Sequence, residues 1–431
     1  RIEIFHGSDY KSLLSVIFPH LCDILVNKTE PQLIKNDENK CRHLTLEILS
    51  RLPQTDVLKS FAPELVQTTL KIVEGDNEEN ALIALRVIFE AHKSYRLTLE
   101  SQVQPFLDIV ILIYKNLADS TTVVFGSCNA ADFQQQQHLH LNQQIQTIRK
   151  QINDYQIQAK EMQSKNQNTQ AVYQQIQQLQ LKLQEDEKKR IISSESVAQA
   201  IEINHSYNVA ATTASAQDNS ASSNEPKKVL KSLQSFNILM ECPVVVMLLF
   251  QFYSKYLQTN IPKIVPLMMQ ALSLRIPHVD AHANMSRFKE FIGAQIKTLS
   301  FMTYLLRGYG QQMQIYDNSI AMNVINLLKV CPNDATTIRK ELLVATRHIL
   351  ATDFRRGFYP LVNTLLSDQL FVGVSEVSDA LRPLAYSTFA DLIHHIRDQL
   401  EITQLSHVIF LFSRIIHDSG LPITVHATSV R

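Results

Sequence analysis

Residues 381–400 read LRPLAYSTFADLIHHIRDQL, in which Leu381, Leu384, Ala385, Thr388, Phe389, Leu392, Ile396 and Leu400 recur at steps of three and four. That spacing places them on one face of a helix. Comparable stripes begin near Tyr10, Lys40, Asp56, Glu78, Gln102, Pro243, Pro262, Ser286, Tyr316, Asp334, Asp353 and Thr403. Alternate stripes start about 38 to 48 residues apart, the period of helix-pair repeats of the HEAT or armadillo type. Asp334 ahead of Thr336 and Thr337, and Thr352 ahead of Asp353, are helix-start signals. Pro53, Pro63, Pro105, Pro243, Pro262, Pro332 and Pro360 read mostly as first-turn or connector prolines. FIGAQIKTLSFMTYLL at 291–306 is apolar on more than one face, which requires cover on both sides. Stacked repeats provide it, so the expected fold is an all-α, HEAT/armadillo-like solenoid, with a compact helical bundle as the alternative.

Composition agrees. Among 431 residues there are 9 Gly, 14 Pro, no Trp and 45% hydrophobic residues, which suits long helices joined by short turns. Lys plus Arg and Asp plus Glu number 41 each, so no net field attracts a nucleic-acid backbone or an anionic membrane. Cys22, Cys41, Cys128, Cys242 and Cys331 are scattered, without a CxxC pair, and read as reduced thiols in a cytosolic or nuclear setting. The apolar run PVVVMLLFQFY at 243–253 falls short of the ~18 to 20 residues that span a bilayer. Because it opens on Arg1, the chain reads as an internal part of something longer.

One stretch breaks the pattern. From Gln134 to Gln184, 19 of 51 residues are Gln, and Ser, Ala and Asn dominate from Asn208 to Asn224. Leu141, Ile145, Ile148, Ile152, Tyr155, Ala159 and Met162 form a heptad seam that lapses at 164–169 and resumes in another phase at Val172, Ile176, Leu179 and Leu183. A helical hairpin and one interrupted helix both fit this, and the tail is expected to be disordered. The domain reading is therefore helical repeats at 1–132, a Gln-rich, partly coiled-coil insert at 133–224, and continuing repeats at 225–431.

No GxxxxGK[ST], HExxH or GxSxG motif and no kinase HRD or DFG set occurs in the chain. His394 and His395 are adjacent on a helix and point about 100° apart, so they do not share a metal as i and i+4 residues would. Cys41 and His43 also face apart. Asp76, Glu78 and Glu79 stand at a helix start, where acidic groups complement the macrodipole, and capping outranks acid–base catalysis there. The densest basic run is Arg339, Lys340 and Arg347 with Arg355 and Arg356. It reads as a solvated, ion-paired face or as a docking site for an acidic partner segment, with Arg339, Lys340, Arg355 and Arg356 as the contact residues. No catalytic, metal or cofactor residues are assigned.

DNEENALIALRVIFEAHKSYR at 76–96, FIGAQIKTLSFMTYLLR at 291–307, TTIRKELLVATRHILATDFRRGFYP at 336–360 and the stretch at 381–400 resemble the N-terminal HEAT region of the TRRAP family of transcription cofactors. The resemblance covers roughly 40–117 and 236–420 and leaves the Gln-rich insert outside. It implies a nuclear pseudokinase of the phosphatidylinositol-3-kinase-related class, a shared subunit of SAGA-type histone acetyltransferase complexes that receives transcription activators. On that basis the chain is expected to be a non-catalytic scaffold. Its expected partners are activators and complex subunits, not nucleic acid, membrane or a small molecule, and it needs no cofactor. The alternative is the regulatory solenoid of an active kinase of the same class; a nuclear transport receptor fits the repeat length but is normally acidic overall.

Overall fold

The computed structural model describes residues 7–33, 36–125, 145–146, 148–160, 162–163, 170, 172–184, 187, 230–367, 370–371, 381–417, 419–420, 423 and 426–427. The longer helices are α1 (Gly7–Asp23), α2 (Asp37–Ser50), α3 (Ala62–Gly75), α4 (Glu78–Ser94), α5 (Val103–Lys115), α6 (Leu117–Phe125), α7 (Phe236–Phe252), α8 (Lys255–Ser273), α9 (Met285–Met313), α10 (Asp317–Val330), α11 (Thr336–Leu350), α12 (Arg382–Ile396) and α13 (Ile402–His417).

They alternate between two layers. In one, the π-helical turn Ile24–Lys28 that continues α1 packs on α3, α3 on α5, α5 on α8, α8 on α10, and α10 on the 3-10 segment Asp353–Leu361. In the other, α2 packs on α4, α4 on α7, α7 on α9, α9 on α11 and α11 on α12. The layers join through α3–α4, α5–α7, α8–α9 and α10–α11. The extensive contacts thus link neighbours only, and a single apolar core runs from Tyr10 to Ile415. This is the geometry of a HEAT solenoid, not of a compact bundle.

Several local signals land differently from the sequence reading. Among the described residues the side-chain caps of the longer helices are Asn36, Asn77, Ser235 and Asn284, and Thr352 caps the segment at Asp353 as expected, whereas Asp334 leaves the start of α11 uncapped and pairs with Lys289 at 2.5 Å. Pro243 and Pro262, with Pro266, sit inside α7 and α8, where each removes one intrahelical bond. The helix expected at Asp353 is a 3-10 segment with Pro360 inside it. There Gly357 lies so close to the start of α10 that a Cβ would sit 2.3 Å from the Asp317 carbonyl oxygen.

The Gln-rich excursion leaves from α6 and returns into α7, so it lies inside one helix pair. Its return is stitched to the α3–α4 turn: Glu78 N donates to Leu230 O at 3.2 Å, and Ser232 N donates to Asp76 O at 2.9 Å. Helical residues 148–160 and 172–184 pack on each other through Ile148, Ile152, Ala159, Val172 and Ile176, and Arg149 pairs with Glu187 at 2.7 Å. A pairing between the start of one arm and the end of the other makes a hairpin, which settles the alternative that the seam left open. Leu141 and the tail from 188 to 229 lie outside the described residues. The hairpin cluster shares no residue with the solenoid core. Deleting Phe133 to Asn224 behind a short Gly/Ser linker is accordingly expected to keep the helicity and to leave the Tm equal or slightly higher, since loop closure improves by only ~2 kcal/mol. A circular-dichroism melt lowered by several degrees would mean that the hairpin stabilises the array.

Polar ties cross the base of the excursion. Gln104 and Asn260 exchange amide bonds at 3.1 and 3.0 Å, and Tyr114 meets Thr298 at 3.1 Å. Tyr253 Oη donates to Arg96 O at 2.6 Å, so the buried His92 donates from Nδ1 to Tyr253 Oη at 3.1 Å and keeps an unpartnered Nε2 lone pair. Burial holds His92 down to about 4. The unfolded chain, with an imidazole near 6.5, takes up this proton first, so stability falls as pH drops from 6.5 to about 4, by at most ~1.4 kcal/mol per unit. Urea midpoints of wild type and His92→Phe measured across that window check this; parallel pH profiles would contradict it.

Candidate functional site

The proposed basic patch does not survive as a unit. Arg339 lies on the same helical face as Leu342, Leu343 and Thr346 and is 1% exposed. Its guanidinium donates to the carbonyls of Leu328 and Cys331 at 3.3 Å and to Leu370 O at 2.8 Å, so it ties the surrounding loops together from the interior and is no part of an exposed basic face. Lys340 is exposed near the start of α11, while Arg355 and Arg356 follow its other end, about 15 Å further along the axis. Arg355 is half-buried and donates to Thr352 O at 3.3 Å; Arg356 is exposed. Arg347 is engaged by Asp391 at 2.6 Å.

A different basic grouping forms where α11 and α12 end, beside Arg307 of α9. Arg307 meets His348 Nδ1 at 2.9 Å. Burial first, and then Arg307 and Arg347, hold His348 below the ordinary imidazole range. Burial followed by Arg355 and His394 does the same to His395. His348 and His395 lie in the last turns of α11 and α12, and burial with the neighbouring cations disfavours their charged forms, so the arginines carry the positive charge of this edge. The sequence reading missed it because Arg307 comes from a helix far away along the chain.

The other singled-out residues take structural places. His43 Nδ1 lies 3.3 Å from Asn80 Oδ1, and Cys41 is exposed beside it on α2. Asp76 is not a helix cap: Asn77 fills that role, and the Asp76 carboxylate takes Arg42 Nε at 2.8 Å and Nη2 at 2.5 Å in the interior. Glu78 does stand in the first turn of α4, and it also accepts from Asn237 at 2.5 Å and Arg287 at 3.2 Å. Among the described residues no group of three or more His, Cys, Asp or Glu is placed to hold a metal, and no helix is long and apolar enough to cross a membrane.

Two of the concavities among the described residues are large enough to take a peptide segment. Leu82, Phe89, Met240 and Val244 line a groove of about 560 Å³ across α4 and α7, with Arg86, Glu90 and Glu241 along it. A second, of about 800 Å³, opens between the end of α10 and the segment around Leu370, with Arg339 in its wall. An extended two-layer array with grooves and a basic edge presents binding surface.

Comparison with known proteins bears on what that surface serves. Residues 287–431 match the family model described as the Tra1 HEAT repeat central region. Over the whole chain, 35% of residues are identical to the probable transcription-associated protein 1 of Dictyostelium discoideum. The chain belongs to the TRRAP/Tra1 family. It is 27% identical to the human transformation/transcription domain-associated protein over 100% of its length. It is 28% identical to the Saccharomyces cerevisiae SAGA complex/NuA4 acetyltransferase complex subunit TRA1 over 98%. The alignments extend through the Gln-rich insert, further than the stretches on which the resemblance was first read. The chain spans only 9 to 11% of these relatives, so it is a HEAT-repeat region of a TRRAP/Tra1 protein and not a catalytic domain.

Proposed function

We propose that this chain is a scaffold segment of a large nuclear transcription cofactor, on which subunits of histone acetyltransferase complexes and transcription activators dock. The observation that carries the reading is the near-complete alignment with a yeast protein named as a SAGA and NuA4 subunit, on a fold that offers extended grooved surface. In this reading 1–132 and 225–431 form one array, 133–224 is an accessory insert, and the kinase-like domain beyond this chain is inactive. Tagged chain recovered from nuclear extract is expected to carry histone acetyltransferase activity above that bound by an unrelated tagged solenoid. Equal activity on the two would overturn the scaffold assignment.

Activators with acidic segments would meet the remaining exposed or half-exposed cations Lys340, Arg355 and Arg356. Replacing these three by alanine is expected to weaken capture of an acidic activator peptide by a few-fold and to flatten its salt dependence, because exposed charges act at long range and are screened. Unchanged affinity and unchanged salt slope would assign the three residues to solvation alone.

A further inference from the structure

Two buried arginines hold equivalent places in the array and differ in one respect. Arg42 lies early in α2 and donates to Leu25 O at 2.8 Å and Thr29 O at 2.7 Å, at the end of the preceding first-layer helix. Arg339 lies early in α11 and donates to Leu328 O and Cys331 O, again at the end of the preceding first-layer helix. Each also reaches forward to the turn of the next pair. Arg42 finds the carboxylate of Asp76 there, whereas Arg339 finds only the carbonyls of Leu370 and Phe371, at 2.8 and 3.4 Å.

Arg339 therefore carries a buried positive charge with no counter-charge among the described residues, and its Nε has no hydrogen-bond partner. An uncompensated interior cation is costly, and burial lowers its pKa. The same side chain lines the cleft of about 800 Å³, whose walls include Met285, Phe288, Leu328, Pro332 and Leu370, with exposed Lys329 at the rim. Apolar walls around a guanidinium short of one anion match a carboxylate carried on an apolar segment, and the Arg42–Asp76 pair shows what that carboxylate would complete.

We infer that the Arg339 cleft is a receptor for a carboxylate-bearing, otherwise apolar peptide segment of a partner protein. The inference rests on the scaffold reading but concerns a site distinct from the exposed basic residues. The carboxylate comes to a charge that is already desolvated, so this binding depends far less on salt than capture at the surface does.

The test uses the whole 431-residue chain and fluorescent peptides of sequence Leu-Leu-Asp-Leu-Leu and Leu-Leu-Asn-Leu-Leu, both blocked at their ends, with a third in which only the terminal carboxylate is free. The Asp peptide is expected to bind about tenfold or more tighter than the Asn peptide, as a charge-assisted bond at a buried site implies. Whether the free-ended peptide matches it tells a chain terminus from a side chain as the source. Ser367→Trp, an exposed position on the cleft, is expected to abolish this preference without touching the core, which keeps the test valid should Arg339→Gln fail to fold. Equal binding of the Asp and Asn peptides, or a preference untouched by Ser367→Trp, would overturn the proposal. Acetyltransferase recovery persisting in Ser367→Trp would leave the scaffold assignment standing when the cleft fails.

Discussion

Asp76→Ala is expected to destabilise the first helix pairs by about 3 to 5 kcal/mol, the cost of breaking a buried ion pair from one side. Arg42 and Asp76 have side chains 1% and 0% exposed. Every oxygen of that carboxylate is in use: Oδ2 takes both Arg42 bonds, and Oδ1 accepts from Asn77 N at 2.7 Å and Asn80 Nδ2 at 3.1 Å. Without it, a guanidinium stays in the interior held only by neutral partners, Leu25 O, Thr29 O and Thr29 Oγ1. In a quasi-one-dimensional array the damage stays local, so amide exchange should rise across α1 to α4 and much less beyond α9. Arg42→Met together with Asp76→Leu should recover part of the loss, because an apolar pair leaves no stranded charge. A single Asp76→Ala change costing under about 1 kcal/mol would show that the pair is not a keystone.

Phe236→Ala comes close in size, at about 3 to 5 kcal/mol for a fully buried aromatic. Phe236 is 0% exposed and its ring lies 6.0 Å from Phe125 and 5.5 Å from Phe291, while those two are 6.3 Å apart. The triangle joins the last helix before the excursion, the first after it and the neighbouring pair. Alanine opens a cavity where the chain must close, and the aromatic contacts add ~0.5 to 1.5 kcal/mol beyond the buried area. Phe236→Leu should recover most of the stability. A urea midpoint unmoved by Phe236→Ala would remove the triangle from the list of contacts that hold the two halves together.

The helix faces were legible because periodicity is a local property. Of the stripe from Leu381 to Leu400, Leu381, Ala385, Thr388, Phe389, Leu392 and Ile396 are buried, and Leu384 and Leu400 are half-buried against the core. The same reasoning, applied to Arg339, would have placed it three residues before Leu342 on the core face; composition drew attention to its charge instead. What stayed hidden depends on pairings across the chain. Nothing near Asp76 announces Arg42, 34 residues earlier, as its partner. The hairpin in the Gln-rich stretch could not be told from an interrupted helix until the two arms were seen against each other. The helix expected after Thr352 became a 3-10 segment because Gly357 admits the backbone of α10, a close approach that local sequence does not record.

The stacking of Phe125 against Phe236 has a further consequence for how such a protein can vary and be engineered. Departure and return are side by side on one flank of one repeat, so the superhelix does not sense how much chain lies between them. That junction behaves as a docking port for cargo: a fluorescent protein or an affinity module with adjacent termini, spliced in place of the Gln-rich stretch, would ride on the array without bending it.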